Sequence, residues 1–221
     1  MRRVSVIIVA AGRGERFGGG KVFALLRGKR VLDWSLERFE LHPRVDEIIL
    51  VLNREDKKLN SFKKYSKIKV IIEGGERRQD SVVSGFRELD PGSSDIVLIH
   101  DGVRPLISEE LITRVIEGVE ERGAVCPVIS VEDTIKRVEG EQIKETMRRE
   151  ELRRAQTPQG FLYPVLKRAI EKAEEQGFHG SDEASLVERL GERVSIIEGD
   201  PANIKITIPK DLKIAEALIG D

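Results

Sequence analysis

The sequence predicts a single α/β domain over residues 1–221, built on a mainly parallel sheet, and two observations carry that prediction. Apolar runs of strand length recur at residues 4–10, 47–52, 69–72, 96–100 and 124–128, each continuous rather than alternating, as in strands covered on both faces. Segments with helical spacing of apolar residues fall between them.

Taken in order, the first run is a buried strand that ends in a glycine-rich loop. Residues 31–41 then place Val31, Leu32, Ser35, Leu36 and Phe39 on one helical face, and residues 80–89 and 109–122 repeat that period. Ser108 is a natural N-cap for the latter helix. Between 131 and 154 the pattern turns polar, with scattered Thr134, Ile135, Val138, Ile143 and Thr146 around a Glu139-Gly140-Glu141 turn. This reads as a protruding two-stranded β-arm, marginal alone, that leans on another subunit, closes over a ligand, or forms a plain surface loop. A proline-started helix at 164–176, a helix at 182–190, strands at 194–198 and 204–208, and a last helix after Pro209 complete the chain. There is no internal repeat, low-complexity segment or linker.

A chain of 221 residues buries a sizeable core without disulfides, and its single cysteine, Cys126, lies in an apolar run. Cytoplasmic location is therefore expected. No stretch approaches the roughly 20 apolar residues of a membrane span, and no signal peptide opens the chain. The net charge of -1 and 5% aromatic content offer neither a phosphate track nor a stacking surface, which argues against nucleic-acid partners. Anion recognition must come from local clusters.

One such cluster is Ala10-Ala11-Gly12-Arg13-Gly14-Glu15-Arg16-Phe17-Gly18-Gly19-Gly20-Lys21. Glycines let the backbone approach an anion, loop amides donate to phosphate oxygens, and Arg13, Arg16 and Lys21 neutralise charge. Two familiar phosphate loops fail on spacing. The dinucleotide fingerprint fits Gly12 and Gly14 but meets Phe17 at its third small position, and Asn53 follows the second strand instead of an acid. The Walker A pattern meets Glu15 and Val22 where it needs glycine and a magnesium-binding hydroxyl.

In parallel sheets ligands sit beyond the carboxyl ends of the strands, so one cleft should gather the loop, Asn53, Gly74-Gly75 and His100-Asp101. In His100-Asp101-Gly102-Val103-Arg104-Pro105, Asp101 is placed to hold magnesium directly or through water, with Arg104 on a second phosphate; the bland alternative is a helix cap with a surface ion pair. Gly74-Gly75-Glu76-Arg77-Arg78-Gln79-Asp80-Ser81 is a second turn into a helix, whose amides and Ser81 could read a base or sugar; helix capping explains Asp80 and Ser81 equally well. His42, His100 and His179 show no metal spacing with one another or with Cys126, and Trp34 reads as packing. The Arg148-Arg149-Glu150-Glu151 and Arg153-Arg154 runs would ordinarily be a solvated face.

Together, the loop from Ala10 to Lys21, Gly75 with Asp80-Ser81, Asp101 to Pro105, Asp133-Thr134, Ala155-Gln156-Thr157-Pro158-Gln159, Ser181-Asp182-Glu183-Ala184-Ser185 and Asn203-Ile204-Lys205-Ile206-Thr207 resemble the 2-C-methyl-D-erythritol 4-phosphate cytidylyltransferases. These blocks span nearly the whole chain, and their shared order and spacing make the set specific. The resemblance implies a Rossmann-like three-layer nucleotidyltransferase fold with a protruding β-arm. It implies joining of CTP and 2-C-methyl-D-erythritol 4-phosphate into 4-diphosphocytidyl-2-C-methyl-D-erythritol, with release of pyrophosphate, in the non-mevalonate isoprenoid pathway. It also implies Mg2+ at Asp101 and a homodimer in which the arm of one subunit reaches the other's site.

By the same resemblance Arg16 and Lys21 contact the triphosphate, Ala10, Ala11, Gly12 and Gly14 form its cradle, and Gly75, Asp80 and Ser81 hold the nucleoside end. Asp101, Arg104, Thr134, Arg149, Thr157, Ser181 and Lys205 serve the second substrate, with Arg149 and Lys205 aiming its phosphate. The chain departs from the family's commonest pattern at Gly20 (often Pro), Gly102-Val103 (often Ala-Ala), Arg153 (often Trp) and Ser181 (often Thr), and its loop between Arg16 and Lys21 is one residue short. Two other readings stay open: a ribitol 5-phosphate cytidylyltransferase, and a nucleotide-binding regulator without catalysis.

Overall fold

The computed structural model describes residues 2–12, 14–58 and 60–219; the loop cation Arg13 lies outside them. Strands β1 (Val4–Ala10), β2 (Leu25–Leu26) and β3 (Lys29–Arg30) precede helix α1 (Val31–Leu41) and strands β4 (Glu47–Leu52) and β5 (Ile68–Glu73). Helix α2 (Arg78–Arg87), β6 (Ile96–Asp101), α3 (Glu109–Arg122) and β7 (Ala124–Ser130) follow. The arm is β8 (Lys136–Glu139) and β9 (Gln142–Thr146); then come β10 (Arg153–Ala155), β11 (Gln159–Leu162), α4 (Tyr163–Glu175), α5 (Glu183–Leu190), β12 (Ser195–Glu198) and α6 (Pro209–Leu218).

The main sheet runs β12-β7-β11-β6-β1-β4-β5, with β10 on the same edge of β7 as β11. β1 is parallel to both β4 and β6, and β4 to β5. Alternation along β1 splits the core. Val6, Ile8 and Ala10 face the side covered by α1 and α3, with Leu36, Phe39, Leu111, Val115 and Val119, while Ile7 faces α2, α4 and α5, with Val82, Phe86, Leu166 and Val187. Burial on both faces is why β1, β4 and β6 read as continuous apolar runs. Ser108 caps α3 as expected, its hydroxyl accepting from the Leu111 amide at 3.2 Å.

Several boundaries and several short strands differ from the sequence reading. Helix α2 begins at Arg78, two residues earlier than expected, because the Asp80 carboxylate accepts the Arg77 amide and closes the first turn. Residues 204–208 form no strand: Ile206 alone donates to the Val103 carbonyl, at 2.9 Å, and is otherwise held by burial. β10 and β11 were not anticipated. Both are antiparallel to β7, and they share one of its edges, since Val128 pairs with Ala155 and Glu198, and Val125 with Gly160 and Ser195. Their shortness, and Pro158 between them, leave almost no periodicity to read. The β2-β3 hairpin carries no sequence period either, being two residues per strand around Arg27 and Gly28, both at positive φ.

Because β11 lies between β6 and β7, its aromatic Phe161 sits wholly buried among the α4 and α5 side chains. Phe161→Ala is expected to cost about 3–5 kcal/mol of folding stability, as a cavity no neighbour can fill, measured by urea unfolding. Every residue of β8 and β9 is exposed, as the reading of a protruding arm requires. The arm is held internally by the Val138 and Ile143 pair and by ion pairs Arg137 to Glu145 and Lys144 to Glu139, each 3.0 Å.

Candidate active site

The order around β1 locates the site. The chain passes from β1 outward through β4 to β5, then returns to place β6 on the other side of β1. At such a reversal the loops beyond two adjacent strand ends diverge and leave a crevice. Here they are the glycine loop after β1 and the Asp101 turn after β6.

The glycine loop is built from residues that no side chain could replace without strain. Gly14, Gly18, Gly19 and Gly20 all have φ between 61° and 94°, and single helical turns at Glu15–Phe17 and Lys21–Phe23 lie among them. At Gly14 a Cβ would meet Lys21 Cγ at 3.2 Å, so the missing side chain lets the lysine stem cross the loop. Gly20, with φ of 61°, excludes the proline common at that position, whose ring requires φ near −65°. Across the crevice, a Cβ on Gly74 would meet Ala11 Cβ at 2.4 Å and Ser81 Oγ at 2.6 Å, so the two turns close against each other. Gly75 is equally confined, by Asp80 Cβ at 2.4 Å.

Charge converges on Asp101, which is 6% exposed. Its Oδ1 accepts from Arg78 Nε at 2.8 Å and its Oδ2 from Lys205 Nζ at 2.7 Å, with Arg104 Nε 4.0 Å from Oδ2. Burial alone would raise this carboxyl, but Arg78 and Lys205 outweigh it and hold the group well below the usual carboxylate range. Lys21 faces the same cluster: burial and then Lys205 lower its ammonium, Asp101 opposes them, and Arg16 lowers it further. Residues far apart in sequence thus form one cationic wall around one carboxylate.

A buried relay fixes the turn that carries Asp101. The Asp101 amide donates to Thr157 Oγ1 at 3.1 Å, that hydroxyl contacts His100 Nδ1 at 3.2 Å, and His100 Nε2 lies 3.2 Å from the Arg104 carbonyl. Only one assignment satisfies every partner: Nε2 carries the ring proton, and Thr157 donates to Nδ1. Burial pushes His100 down to about 3, so the ring is neutral near pH 7. The Thr157 hydroxyl is therefore engaged within the chain. Asn203 extends the scaffold by donating from its side-chain amide to the Thr157 carbonyl at 2.8 Å, while its main-chain carbonyl accepts from Arg104 Nη1 at 2.8 Å.

The remaining expected residues are more dispersed. Ser81 is buried and donates to the Arg77 carbonyl at 3.1 Å, while Asp80 closes the first turn of α2. Arg16 and Ser181 are exposed, Ser181 just ahead of α5. Thr134 and Arg149 stand on the arm, where Arg149 donates to the Glu132 carbonyl at 2.7 Å beside a cleft of about 530 Å³ lined by Glu132, Glu150 and Arg153. Acidic and basic groups are matched there, so that cleft is no anion site by itself. Trp34 is half-buried and donates to the Leu26 carbonyl at 3.0 Å, as expected of packing.

Arg78, Glu183, Gln159 and Asn203 were not singled out. Arg78 looked like one of two adjacent surface arginines, and its partners lie at the ends of β6 and α5, which no local spacing reveals.

A wall of guanidinium and ammonium groups at the reversal of a parallel sheet suits group transfer between phosphates, and the fold is that of the nucleotidyltransferases. The family model IspD, 2-C-methyl-D-erythritol 4-phosphate cytidylyltransferase, matches residues 4–221, and the chain belongs to this family. Its relatives include the 2-C-methyl-D-erythritol 4-phosphate cytidylyltransferases of Bacillus velezensis, 43% identical over 97% of this chain and 94% of that one, and of Geotalea uraniireducens, 40% identical over 98% and 97%. Similar solved structures are the 4-diphosphocytidyl-2C-methyl-D-erythritol synthase of Anaerococcus prevotii (TM-score 0.88, 32% identity, 100% of this chain and 97% of that one) and the cytidylyltransferase of Thermus thermophilus (TM-score 0.82, 34% identity, 96% and 97%).

Proposed function

We propose that this protein transfers the cytidylyl group of CTP to 2-C-methyl-D-erythritol 4-phosphate, releasing pyrophosphate. The observation that carries the reading is the convergence of Lys21, Lys205, Arg104 and Arg78 on Asp101 in a member of this family. In the reaction a phosphate-monoester oxygen attacks the α-phosphorus of CTP in line, the new P–O bond forms, and the bond to pyrophosphate breaks. The attacking oxygen is already anionic near pH 7, so no general base is required, and buried, neutral His100 is not asked to be one. Catalysis is then positioning and charge. Arg16 and Lys21 bind the triphosphate and the charge that grows on its leaving group, while Ala10, Ala11, Gly12 and Gly14 form its cradle. Gly75, Asp80 and Ser81 shape the nucleoside end. Lys205, with Arg104 and Arg149, aims the incoming phosphate; Thr134 and Ser181 contact its polyol, and Thr157 supports that subsite from below.

Magnesium is consistent with the donor set. No group of three or more His, Cys, Asp or Glu side chains could hold a metal among the described residues. Mg2+ bound largely by substrate phosphates needs only one or two protein carboxylates; Asp101 would supply one, directly or through water, although both its oxygens here accept from Arg78 and Lys205. When bound, the ion neutralises triphosphate oxygens. We also propose a homodimer in which the exposed arm brings Thr134 and Arg149 to the partner's crevice, and a cytoplasmic location. No helix among the described residues is long and apolar enough to cross a membrane.

The test is pyrophosphate release with CTP and magnesium, run in parallel with 2-C-methyl-D-erythritol 4-phosphate and ribitol 5-phosphate. A kcat/KM at least about tenfold higher with the former is expected, as a site built to hydrogen-bond one polyol should reject another. Preference for ribitol 5-phosphate would overturn the substrate assignment, and CTP binding without turnover would overturn the enzymatic reading.

A further inference from the structure

Glu183 is 1% exposed, stands at the first turn of α5 and has no role in capping that helix. The cap is Asp182, whose Oδ1 accepts the Ser185 amide at 3.0 Å, and the Ala184 amide is taken by Gln159 Oε1 at 3.0 Å. Both Glu183 oxygens instead accept from one nitrogen of Arg78, Nη1, at 2.8 and 2.9 Å; burial pushes this carboxyl up, and the Arg78 guanidinium opposes that rise. The same guanidinium donates through Nε to Asp101 Oδ1 at 2.8 Å. Arg78 therefore bridges a fully buried acid to the acid of the crevice.

We propose that Glu183 is a positioning residue for cytidylyl transfer: through Arg78 it pins Asp101 so that Oδ1 is sequestered and Oδ2 alone faces Lys205 and Arg104. The inference rests on the functional reading above and deepens it. A buried ion pair of this kind adds little net stability, because desolvation offsets most of the attraction, so its retention calls for another reason. Division of one guanidinium between two carboxylates supplies that reason. With Glu183 charged, Arg78 has a counterion of its own and needs only one oxygen of Asp101. Without that charge, Asp101 is the only full counterion left within reach, and the planar fork of Arg78 is drawn across both its oxygens. Lys205 would then lose the contact that now sets it at 2.7 Å from Oδ2. Gln159 ties the arrangement to β11, because its Nε2 also donates to Asp182 at 2.7 Å and so sets where α5 begins.

Glu183→Gln tests the proposal, since it keeps volume and an acceptor but removes the charge. The expected result is a KM for CTP within twofold and a tenfold lower kcat for pyrophosphate release, beside a lowered melting temperature because one partner of a buried pair is gone. A ligand-free crystal structure of the variant should show both Asp101 oxygens on Arg78 and Lys205 Nζ beyond about 3.5 Å from Oδ2. Wild-type kcat, or Asp101 unmoved against Lys205, would overturn it. If Glu183→Gln does not fold, the paired Arg78→Met/Glu183→Met variant removes both buried charges and should fold, with the same tenfold loss of kcat; full activity there also overturns the proposal. Should the wild-type protein release no pyrophosphate, the functional reading fails, while the Asp101 to Lys205 distance in the variant still decides the geometric claim.

Discussion

Lys21→Ala is expected to lower kcat for pyrophosphate release by about 10²–10³-fold, the range seen when one preorganised donor to a developing anion is lost. The loss should fall on turnover because Lys21 lies on no apolar face of the core: its stem crosses Gly14 and its ammonium feels the charges of Lys205, Asp101 and Arg16. Removing one cation from a crowded cationic wall also relieves repulsion, so the melting temperature should hold or rise slightly. Steady-state kinetics and a thermal melt on the same preparation check both halves. A fall in stability matching the fall in activity would assign Lys21 to the fold.

The second large effect concerns the arm. Arg149→Ala should leave CTP binding intact and raise the KM for the polyol phosphate at least tenfold, because the residue stands on an exposed arm away from the glycine loop. Neither Arg149→Ala nor Lys21→Ala homodimers should work efficiently at low polyol phosphate. In a proposed heterodimer of the two, an exchanged arm pairs one intact body with one intact arm and leaves the other site doubly impaired. Random mixing of equal amounts makes half the dimers heterodimers, each with one good site of two, so about a quarter of wild-type activity should return. An arm serving its own subunit would restore none, and verified heterodimers without recovery would refute arm exchange.

Much of this organisation was legible before any fold was drawn, for physical reasons specific to particular residues. Val6, Ile7 and Ile8 read as a doubly covered strand because helices bury both faces of β1. Ser108 read as a cap because a hydroxyl there can only act on the next turn. The glycine loop read as a phosphate cradle because four residues at positive φ must be glycine if they are to be cheap. The roles of Arg149, Thr134 and Ser181 rested on family resemblance alone, since an arginine amid arginines and glutamates carries no spacing of its own. The strand expected at 204–208 came from a genuine alternation, Ile204, Ile206 and Ile208 against Lys205 and Thr207, but no neighbouring strand lies alongside to complete it. That alternation still matters, for it buries Ile206 and leaves Lys205 on Asp101.

By itself, then, the sequence determined what each residue's near neighbours decide: the apolar strands, the amphipathic helices, the caps, the exposed arm and the cation-bearing glycine loop. The tertiary structure decided which charges meet. Asp101 ends β6, Arg78 opens α2, Glu183 opens α5 and Lys205 lies beyond β12, and their pairing depends on antiparallel β11 entering between β6 and β7. Strand order is set by the packing of the whole sheet, a sum over distant contacts that no local pattern contains, and so the electrostatics of the crevice became visible only in the folded chain.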